Sequence, residues 1–357
     1  MSGVDLTKRA AFGLAALVLG TAACGHGGDD GRSDVPVTAG PRGSTTSVGT
    51  APSGTSSARE AAADSAPSAA PPSTGPAASS APESTVNPAA TTAARPSSTS
   101  VAPAPGVAEQ RFTVDDGGRG RSFDVVVRLP AGADGAPAAG LHPVVAFSHG
   151  LRSEPQAYDA LLDRFVAAGF AVVAPLFPHT RRGADDLSAA DVVEQPGDVS
   201  AALVAVFARP DLASSLDSTR IAAVGHSEGA ITTLGLFDGC CRDPRISAGV
   251  VLAGNTLGFR EEYTGDPAPI LFVHGDDDRL VPYASGRLAF DTDPWPKAFL
   301  TIAGGDHLQP YLTAGSADAN RVADAAVEFV RWALLGDVDA LAALRATESG
   351  ALDDQLG

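Results

Sequence analysis

The first third of the chain lacks aromatic side chains, since no Phe, Tyr or Trp lies between Phe12 and Phe112. Ala, Ser, Thr, Pro and Gly dominate this stretch instead. Such a composition cannot bury enough apolar surface to offset the conformational entropy lost on folding. We therefore predict a disordered tether over residues 25–107, one folded domain over residues 108–345, and a short C-terminal tail over residues 346–357.

Lysine is almost missing, with two among 357 residues, and the net charge is −17. Nucleic-acid binders need clustered basic side chains to neutralise phosphates, so this composition argues against a nucleic-acid partner. The same shortage leaves no polybasic patch for a membrane surface. Three cysteines are too few for a disulfide-stabilised module. Nothing in the sequence indicates an obligate protein partner.

A short apolar run from Ala10 to Ala23 follows two basic residues and ends at Cys24. The run is shorter than the ~20 residues of a membrane-spanning helix, but it fits the core of a signal peptide. Small residues before a lone cysteine resemble a bacterial lipoprotein signal, in which Cys24 would carry the lipid. We predict a signal peptide over residues 1–24, export, and a lipid anchor at the outer face of the bacterial cell membrane. Plain secretion after cleavage near Ala23 and a retained N-terminus are the alternatives.

Short β-branched apolar runs alternate with helical patterns from residue 111 onwards. Runs of this kind are typical of strands buried on both faces of a mostly parallel sheet that helices cover on both sides. The predicted strands are Phe123–Leu129, Pro143–Phe147, Phe170–Ala174, Arg220–Val224, Ala248–Leu252, Pro269–Val273 and Ala298–Ile302. Fewer than 20 residues separate Leu252 from Ile270. We therefore predict an α/β fold without a large cap domain.

One serine lies where a predicted strand meets a predicted helix. Gly225-His226-Ser227-Glu228-Gly229 follows the strand that ends at Val224 and precedes a helical stretch. A serine on such a tight turn presents its hydroxyl at the carboxyl edge of the sheet, where ligands bind in α/β folds. Glycines two residues away on either side avoid collisions with neighbouring backbone. We predict that Ser227 is a nucleophile; a glycine-rich turn with an incidental serine is the alternative.

A serine hydroxyl becomes nucleophilic when a histidine takes its proton and a carboxylate orients that histidine. For this fold the chain order is serine, acid, histidine. His307 follows the last predicted strand and is the candidate base, because His274 precedes the acid; a surface loop histidine is the alternative. The acid lies in a run of three aspartates after Gly275. We favour Asp278, with the two aspartates before it as alternatives.

The developing oxyanion needs hydrogen-bond donors. One candidate is the backbone N–H of Glu228, directly after the nucleophile at the start of a helix. The other is the backbone N–H of Leu151, in the segment Ser148-His149-Gly150-Leu151 that follows another predicted strand.

With these residues the chain resembles the α/β-hydrolase superfamily, and more narrowly its branch of dienelactone hydrolases, chlorophyllases, platelet-activating-factor acetylhydrolases and bacterial cutinase-like esterases. The motifs that carry the resemblance are Phe147–Leu151, Ala174-Pro175 with Pro178-His179, Gly225–Gly229, Gly275–Asp278 with Val281-Pro282, and Asp306-His307. They extend over about residues 110–340. The resemblance implies an α/β-hydrolase fold and a serine esterase that acts on carboxylic esters with neither metal nor cofactor.

Two positions depart from the polyester-hydrolysing members of that branch. These members usually carry Met after the nucleophile and an aromatic residue after the first glycine loop, where this chain has Glu228 and Leu151. We therefore predict a small-molecule ester as the substrate. A thioesterase or a peptidase could use the same residues, and a binding protein on an inactive hydrolase fold is the alternative from a different class.

Arg181 and Arg182 follow a predicted strand end and could hold an anionic group of a substrate. The alternative is a surface pair balanced by Asp185 and Asp186.

Cys240 and Cys241 are adjacent in the sequence. Consecutive Cα atoms lie ~3.8 Å apart, below the usual disulfide range of about 4.4–6.8 Å. We therefore predict free or variably oxidised thiols.

Overall fold

The computed structural model of the protein describes residues 106–259, 262–348 and 350–357. The predicted signal peptide, Cys24 and the tether up to residue 105 lie outside these described residues. Within them, no helix has both the length and the apolar character needed to cross a membrane.

The described residues contain a sheet of nine strands in the order β1-β2-β4-β3-β5-β6-β7-β8-β9. Strands β3 to β8 pair in parallel, while the pairs β1–β2, β2–β4 and β8–β9 are antiparallel. The strands are β1 Gly106–Asp116, β2 Arg121–Ala131, β3 His142–Ser148, β4 Ala171–Pro175, β5 Leu216–His226, β6 Ile246–Leu252, β7 Ile270–Gly275, β8 Lys297–Ile302 and β9 Leu352–Gln355. The mostly parallel sheet is the one that the sequence predicts.

Helices cover both faces of this sheet. They are α1 Asp159–Ala167, α2 Gln195–Ala208, α3 Pro210–Ala213, α4 Glu228–Gly235, α5 Tyr283–Thr292, α6 Gln309–Leu312, α7 Ala317–Leu335 and α8 Val338–Thr347, with 3₁₀ turns at Pro155–Tyr158 and Ala189–Val193. The longest, α7, begins at the capping hydroxyl of Ser316, which accepts from the Ala319 N–H, and ends at Gly336 in a left-handed conformation.

Two apolar cores result from the alternation of side chains along the strands. On β4, Val172 and Ala174 join the core formed with α1 and α7, whereas Ala171 and Val173 join the core formed with α2, α4 and α5. Every residue of β4 is buried. This explains why the central strands appear in the sequence as continuous apolar runs rather than as alternating patterns.

Both predicted ends of the domain are wrong. Strand β1 begins at Gly106 and pairs along its whole length with β2. The predicted tail contains β9, which pairs antiparallel with β8, and Leu356 beyond it is buried. Both are edge strands with few apolar residues, so neither shows the buried-strand pattern. Between β6 and β7, the described residues 253–259 and 262–269 contain no helix.

Candidate active site

Ser227 occupies the turn between β5 and α4. Its backbone has φ 59° and ψ −121°, a conformation that costs energy for a residue with a side chain. The flanking glycines make the turn possible, because a Cβ on Gly225 would collide with the backbone of Gly229, and one on Gly229 would collide with the backbone of Ser148. The turn leaves Ser227 half-buried at the carboxyl edge of the sheet.

The structure brings together the three side chains that the sequence singled out. The Nε2 atom of His307 lies 2.7 Å from the Oγ atom of Ser227, and its Nδ1 atom lies 2.7 Å from Oδ2 of Asp278. Asp278 follows β7 and His307 follows β8, so the parallel topology carries both to the edge where Ser227 lies. The arrangement allows His307 to take the serine proton while Asp278 orients the ring.

Asp278 is held by several donors. Its Oδ1 atom accepts the backbone N–H groups of Leu280 and Val281, each at 2.9 Å, and His274 Nε2 lies 3.2 Å from Oδ2. Burial on its own raises the pKa of Asp278, but the hydrogen bonds from His274 and His307 outweigh it and hold the pKa well below the usual range of an aspartate. The carboxylate therefore stays charged.

The other two aspartates of the run have different partners. Asp276 accepts the backbone N–H of Gly304 at 2.6 Å, and the exposed Asp277 pairs with Arg279 at 3.1 Å. Neither contacts the His307 ring among the described hydrogen bonds and ion pairs.

Residues Ser148–Leu151, here called the oxyanion loop, lie against the nucleophile. A Cβ on Gly150 would be 3.2 Å from the Cβ of Ser227. The N–H of Glu228, as the first residue of α4, has no acceptor inside the helix. In the described part of the chain neither it nor the N–H of Leu151 donates to a backbone carbonyl outside a regular element. Their role as oxyanion donors stays a prediction.

The side chain of Glu228 has an unusual environment. It is only 7 % exposed, and neither carboxyl oxygen has a hydrogen-bond partner among the described residues. Burial, assisted by the nearby charge of Asp191, raises the pKa of Glu228 to about 8. The carboxyl is therefore mostly neutral at pH 7. The sequence analysis predicted a role for the backbone N–H of Glu228 but did not predict that its carboxyl is buried without a hydrogen-bond partner in the described structure.

Two buried residues next to the site were also missed. Tyr158 and His226 are each 1 % exposed, and the Tyr158 hydroxyl lies 2.9 Å from His226 Nδ1. In the sequence Tyr158 is part of an apolar helical stripe, and His226 fills a variable position of the serine motif. Neither pattern indicates that the two side chains meet.

Arg181 and Arg182 differ in their surroundings. Arg182 pairs with Glu154 at 3.4 Å, and Asp186 pairs with His179 at 2.8 Å. The hydrogen bond from His179 lowers the pKa of Asp186, and the charge of Arg181 adds to this effect. The alternative of a surface pair balanced by acidic neighbours therefore stands beside the substrate-binding prediction. Arg181 forms a backbone β-bridge with Ser153, just after the oxyanion loop, and its guanidinium donates to the Arg182 carbonyl at 3.3 Å. Its role in substrate binding stays a prediction.

Cys240 and Cys241 form a disulfide, which is the oxidised form of the pair that the sequence predicts to be free or variably oxidised. Asp238 shapes the turn that carries them, since Cys240 N–H donates to its side chain at 3.2 Å and Cys241 N–H to its carbonyl at 3.0 Å. That turn brings the two sulfurs together, which Cα spacing alone did not reveal. The pair follows the end of α4 opposite Ser227.

Among the described residues, no group of three His, Cys, Asp or Glu side chains could hold a metal ion.

A sequence model of the chlorophyllase family matches residues 134–250, about a third of the chain. The matched span contains the oxyanion loop and Ser227 but ends before Asp278 and His307. No curated protein matches the chain in sequence.

Among solved structures, a puromycin-hydrolyzing peptidase of Mycobacterium tuberculosis is similar, with a TM-score of 0.50 and 21% sequence identity. The similarity covers 63% of this chain and 39% of the peptidase, so the chain spans about two-fifths of that protein's length. Because 1092 solved chains match, the fold alone does not specify a substrate. The mostly parallel sheet with helices on both faces and this structural similarity show an α/β-hydrolase fold, and the family match over residues 134–250 agrees with that fold.

Proposed function

We propose that this α/β hydrolase is a serine esterase that cleaves small carboxylic esters through an acyl-enzyme. The observation that carries the proposal is the pair of 2.7 Å hydrogen-bond distances that join Ser227, His307 and Asp278. The motif resemblance to serine esterases and the match to the chlorophyllase family support an ester as the bond that is cleaved.

In the first half of the reaction, Ser227 Oγ attacks the ester carbonyl carbon while its proton moves to His307 Nε2. The Nδ1–H of His307 stays hydrogen-bonded to Asp278, whose charge stabilises the imidazolium. The negative oxygen of the tetrahedral intermediate accepts hydrogen bonds from the N–H groups of Leu151 and Glu228, each worth roughly 3 kcal/mol.

The intermediate collapses when the C–O bond to the alcohol breaks. His307 returns its proton to the departing alcohol oxygen, and the acyl group stays on Ser227. A water molecule then attacks the acyl carbon, with His307 as the base that takes its proton. As the bond between the acyl carbon and Ser227 Oγ breaks, His307 returns that proton to Oγ and the acid leaves, so His307 carries every proton that is transferred.

A small substrate agrees with the access to the nucleophile. Ser227 is half-buried rather than covered, and no helix lies in the described residues between β6 and β7. Arg181, beside the oxyanion loop and without a carboxylate partner in the described ion pairs, would favour an acidic group on such a substrate.

Export and a lipid anchor at Cys24 are part of the proposal and rest on the sequence of residues 1–24 alone. The full chain, expressed in a bacterial host, should partition into the detergent phase of Triton X-114. The Cys24→Ala variant should move to the aqueous phase. Equal partition of both proteins would contradict the anchor.

The esterase proposal is tested by labelling the full chain with a fluorophosphonate while measuring hydrolysis of p-nitrophenyl acetate and longer-chain esters. Labelling and turnover should both vanish in Ser227→Ala. Thioester and anilide substrates of the same acyl length distinguish a thioesterase or a peptidase. No labelling of the folded wild type would contradict the proposal and favour a binding protein.

A further inference from the structure

A line of buried hydrogen bonds joins the oxyanion loop to the loop of the catalytic histidine. The Gly150 N–H donates to the Tyr158 hydroxyl at 3.2 Å, and that hydroxyl lies 2.9 Å from His226 Nδ1. On the other side of the ring, His226 Nε2 lies 2.9 Å from the carbonyl oxygen of His307. The line therefore passes through the residue directly before the nucleophile.

The direction of each hydrogen bond follows from its ends. The His307 carbonyl oxygen can only accept, so His226 Nε2 must carry a hydrogen. Burial lowers the pKa of His226 to about 3, which leaves the ring uncharged and its Nδ1 atom bare. The Tyr158 hydroxyl must then donate to Nδ1, while its oxygen accepts the Gly150 N–H. One arrangement of protons satisfies the whole line.

Packing prevents water from replacing these bonds. Tyr158 packs on Phe147 with ring centroids 4.8 Å apart. The His226 ring packs against His307 at 5.0 Å and against Tyr311 at 4.7 Å. Because Tyr158 and His226 are buried, removing one of them leaves a buried partner unpaired.

We propose that Tyr158 and His226 are positioning residues that hold the oxyanion loop and the His307 loop in a fixed relation to Ser227. Gly150 directly precedes Leu151, the proposed oxyanion donor, and the carbonyl at the other end belongs to the residue that takes the serine proton. One line of bonds thus sets the places of both the donor and the base. This inference rests on the proposed serine-hydrolase function.

The test removes the Tyr158 hydroxyl with Tyr158→Phe and keeps the ring. We expect the rate constant for fluorophosphonate labelling and the kcat for ester hydrolysis to fall about tenfold, the effect of one lost hydrogen bond, while KM stays within about twofold. Labelling is included because it reports the reactivity of Ser227 whichever bond the enzyme cleaves.

Tyr311→Phe is the matched control. Its ring packs on the same histidine, and its buried hydroxyl donates to the Val273 carbonyl at 3.3 Å, outside the line. We expect this variant to label within about twofold of the wild-type rate, even if its Tm falls. Equal slowing in both variants would show a general packing effect and overturn the proposal.

A double-mutant cycle tests whether the two residues act as a unit. Tyr158→Phe combined with His226→Leu should label no more slowly than His226→Leu alone, because either change breaks the same line. His226→Gln keeps a side-chain N–H that can reach the His307 carbonyl, and it should recover part of the rate lost in His226→Leu. If the two substitutions instead slow labelling by independent factors that multiply, the result would contradict the proposed line of hydrogen bonds.

¹⁵N NMR of the full chain with labelled histidines distinguishes an error in the proposed line of hydrogen bonds from an error in the proposed function. His226 should be an uncharged Nε2–H tautomer from pH 5 to 9, and in Tyr158→Phe its Nδ1 resonance should shift because the Tyr158 hydroxyl no longer donates to that atom. A proton on His226 Nδ1, or a charged His226 ring at pH 7, would overturn the proposed line of hydrogen bonds even if the protein is an active esterase. Absence of labelling in a wild type with the expected tautomer would contradict the serine hydrolase and, with it, a catalytic purpose for the line.

Discussion

The carboxyl of Glu228 is buried and without a hydrogen-bond partner in the described structure, one residue after the half-buried Ser227. The N–H of the same residue is the proposed oxyanion donor. A group that can gain a negative charge therefore belongs to the residue whose N–H is the proposed oxyanion donor. Burial raises the pKa of Glu228 to about 8, so this charge would appear just above neutral pH.

We predict that kcat of the wild type falls as the pH rises above about 8. Loss of the Glu228 proton would put a negative charge on the side chain of the residue whose N–H is the proposed oxyanion donor, and would thereby weaken stabilisation of the oxyanion. Glu228→Gln has nearly the same shape and cannot ionise, so its kcat should stay level up to pH 10. The measurement is kcat between pH 6 and 10, corrected for spontaneous ester hydrolysis. An alkaline fall that persists in the glutamine variant would contradict the assignment to Glu228.

The same group predicts how stability depends on pH. Its folded pKa lies above the value of 4.5 for an unfolded glutamate, so between these pH values the native state binds more protons than the unfolded state. Stability from this group is complete below about pH 4.5 and is lost as the pH rises towards 8. Glu228→Gln should therefore raise Tm more at pH 8 than at pH 5. An equal change of Tm at both pH values would contradict the raised pKa of Glu228.

Asp278 offers a prediction with a matched control in the same loop. Asp278→Asn should reduce kcat roughly 10⁴-fold, because an amide at this place no longer favours the Nδ1–H tautomer or the imidazolium of His307. Asp277→Asn removes a charge from the neighbouring, exposed residue that pairs with Arg279, and its kcat should stay within about twofold of wild type. Steady-state kinetics on p-nitrophenyl acetate, with circular dichroism to check folding, measure both. A comparable loss in the two variants would mean that net charge in the loop, rather than contact with His307, matters.

Much of the sheet and the positions of the site could be predicted because each depends on local pattern. Continuous β-branched runs mark strands buried on both faces, and parallel pairing carries their carboxyl ends to one edge. Ser227, Asp278 and His307 follow β5, β7 and β8, so a correct assignment of these strands already brings the three residues near one another. Their catalytic roles stay predictions that the experiments above test.

Other features depend on contacts between distant parts of the chain. Tyr158 and His226 are 68 residues apart, and only packing of the first 3₁₀ turn against the serine turn makes their side chains meet. The Glu228 carboxyl is buried without a hydrogen-bond partner in the described structure, and this likewise depends on which parts of the chain pack over it. The bond between Cys240 and Cys241 depends on a turn that Asp238 shapes.

The C-terminal residues provide the last prediction, since sequence pattern assigned them to a tail. Leu356 is buried and follows β9, which pairs with β8, whereas the neighbouring Gln355 is exposed. Leu356→Ala should lower the free energy of unfolding by about 2–3 kcal/mol, because it removes apolar contacts and leaves a cavity in the core shared with α7 and α8. Gln355→Ala should change it by less than about 0.5 kcal/mol, as is usual for surface positions. Urea unfolding of both variants measures the difference. Equal stability of the two would mean that the last residues are a tail after all.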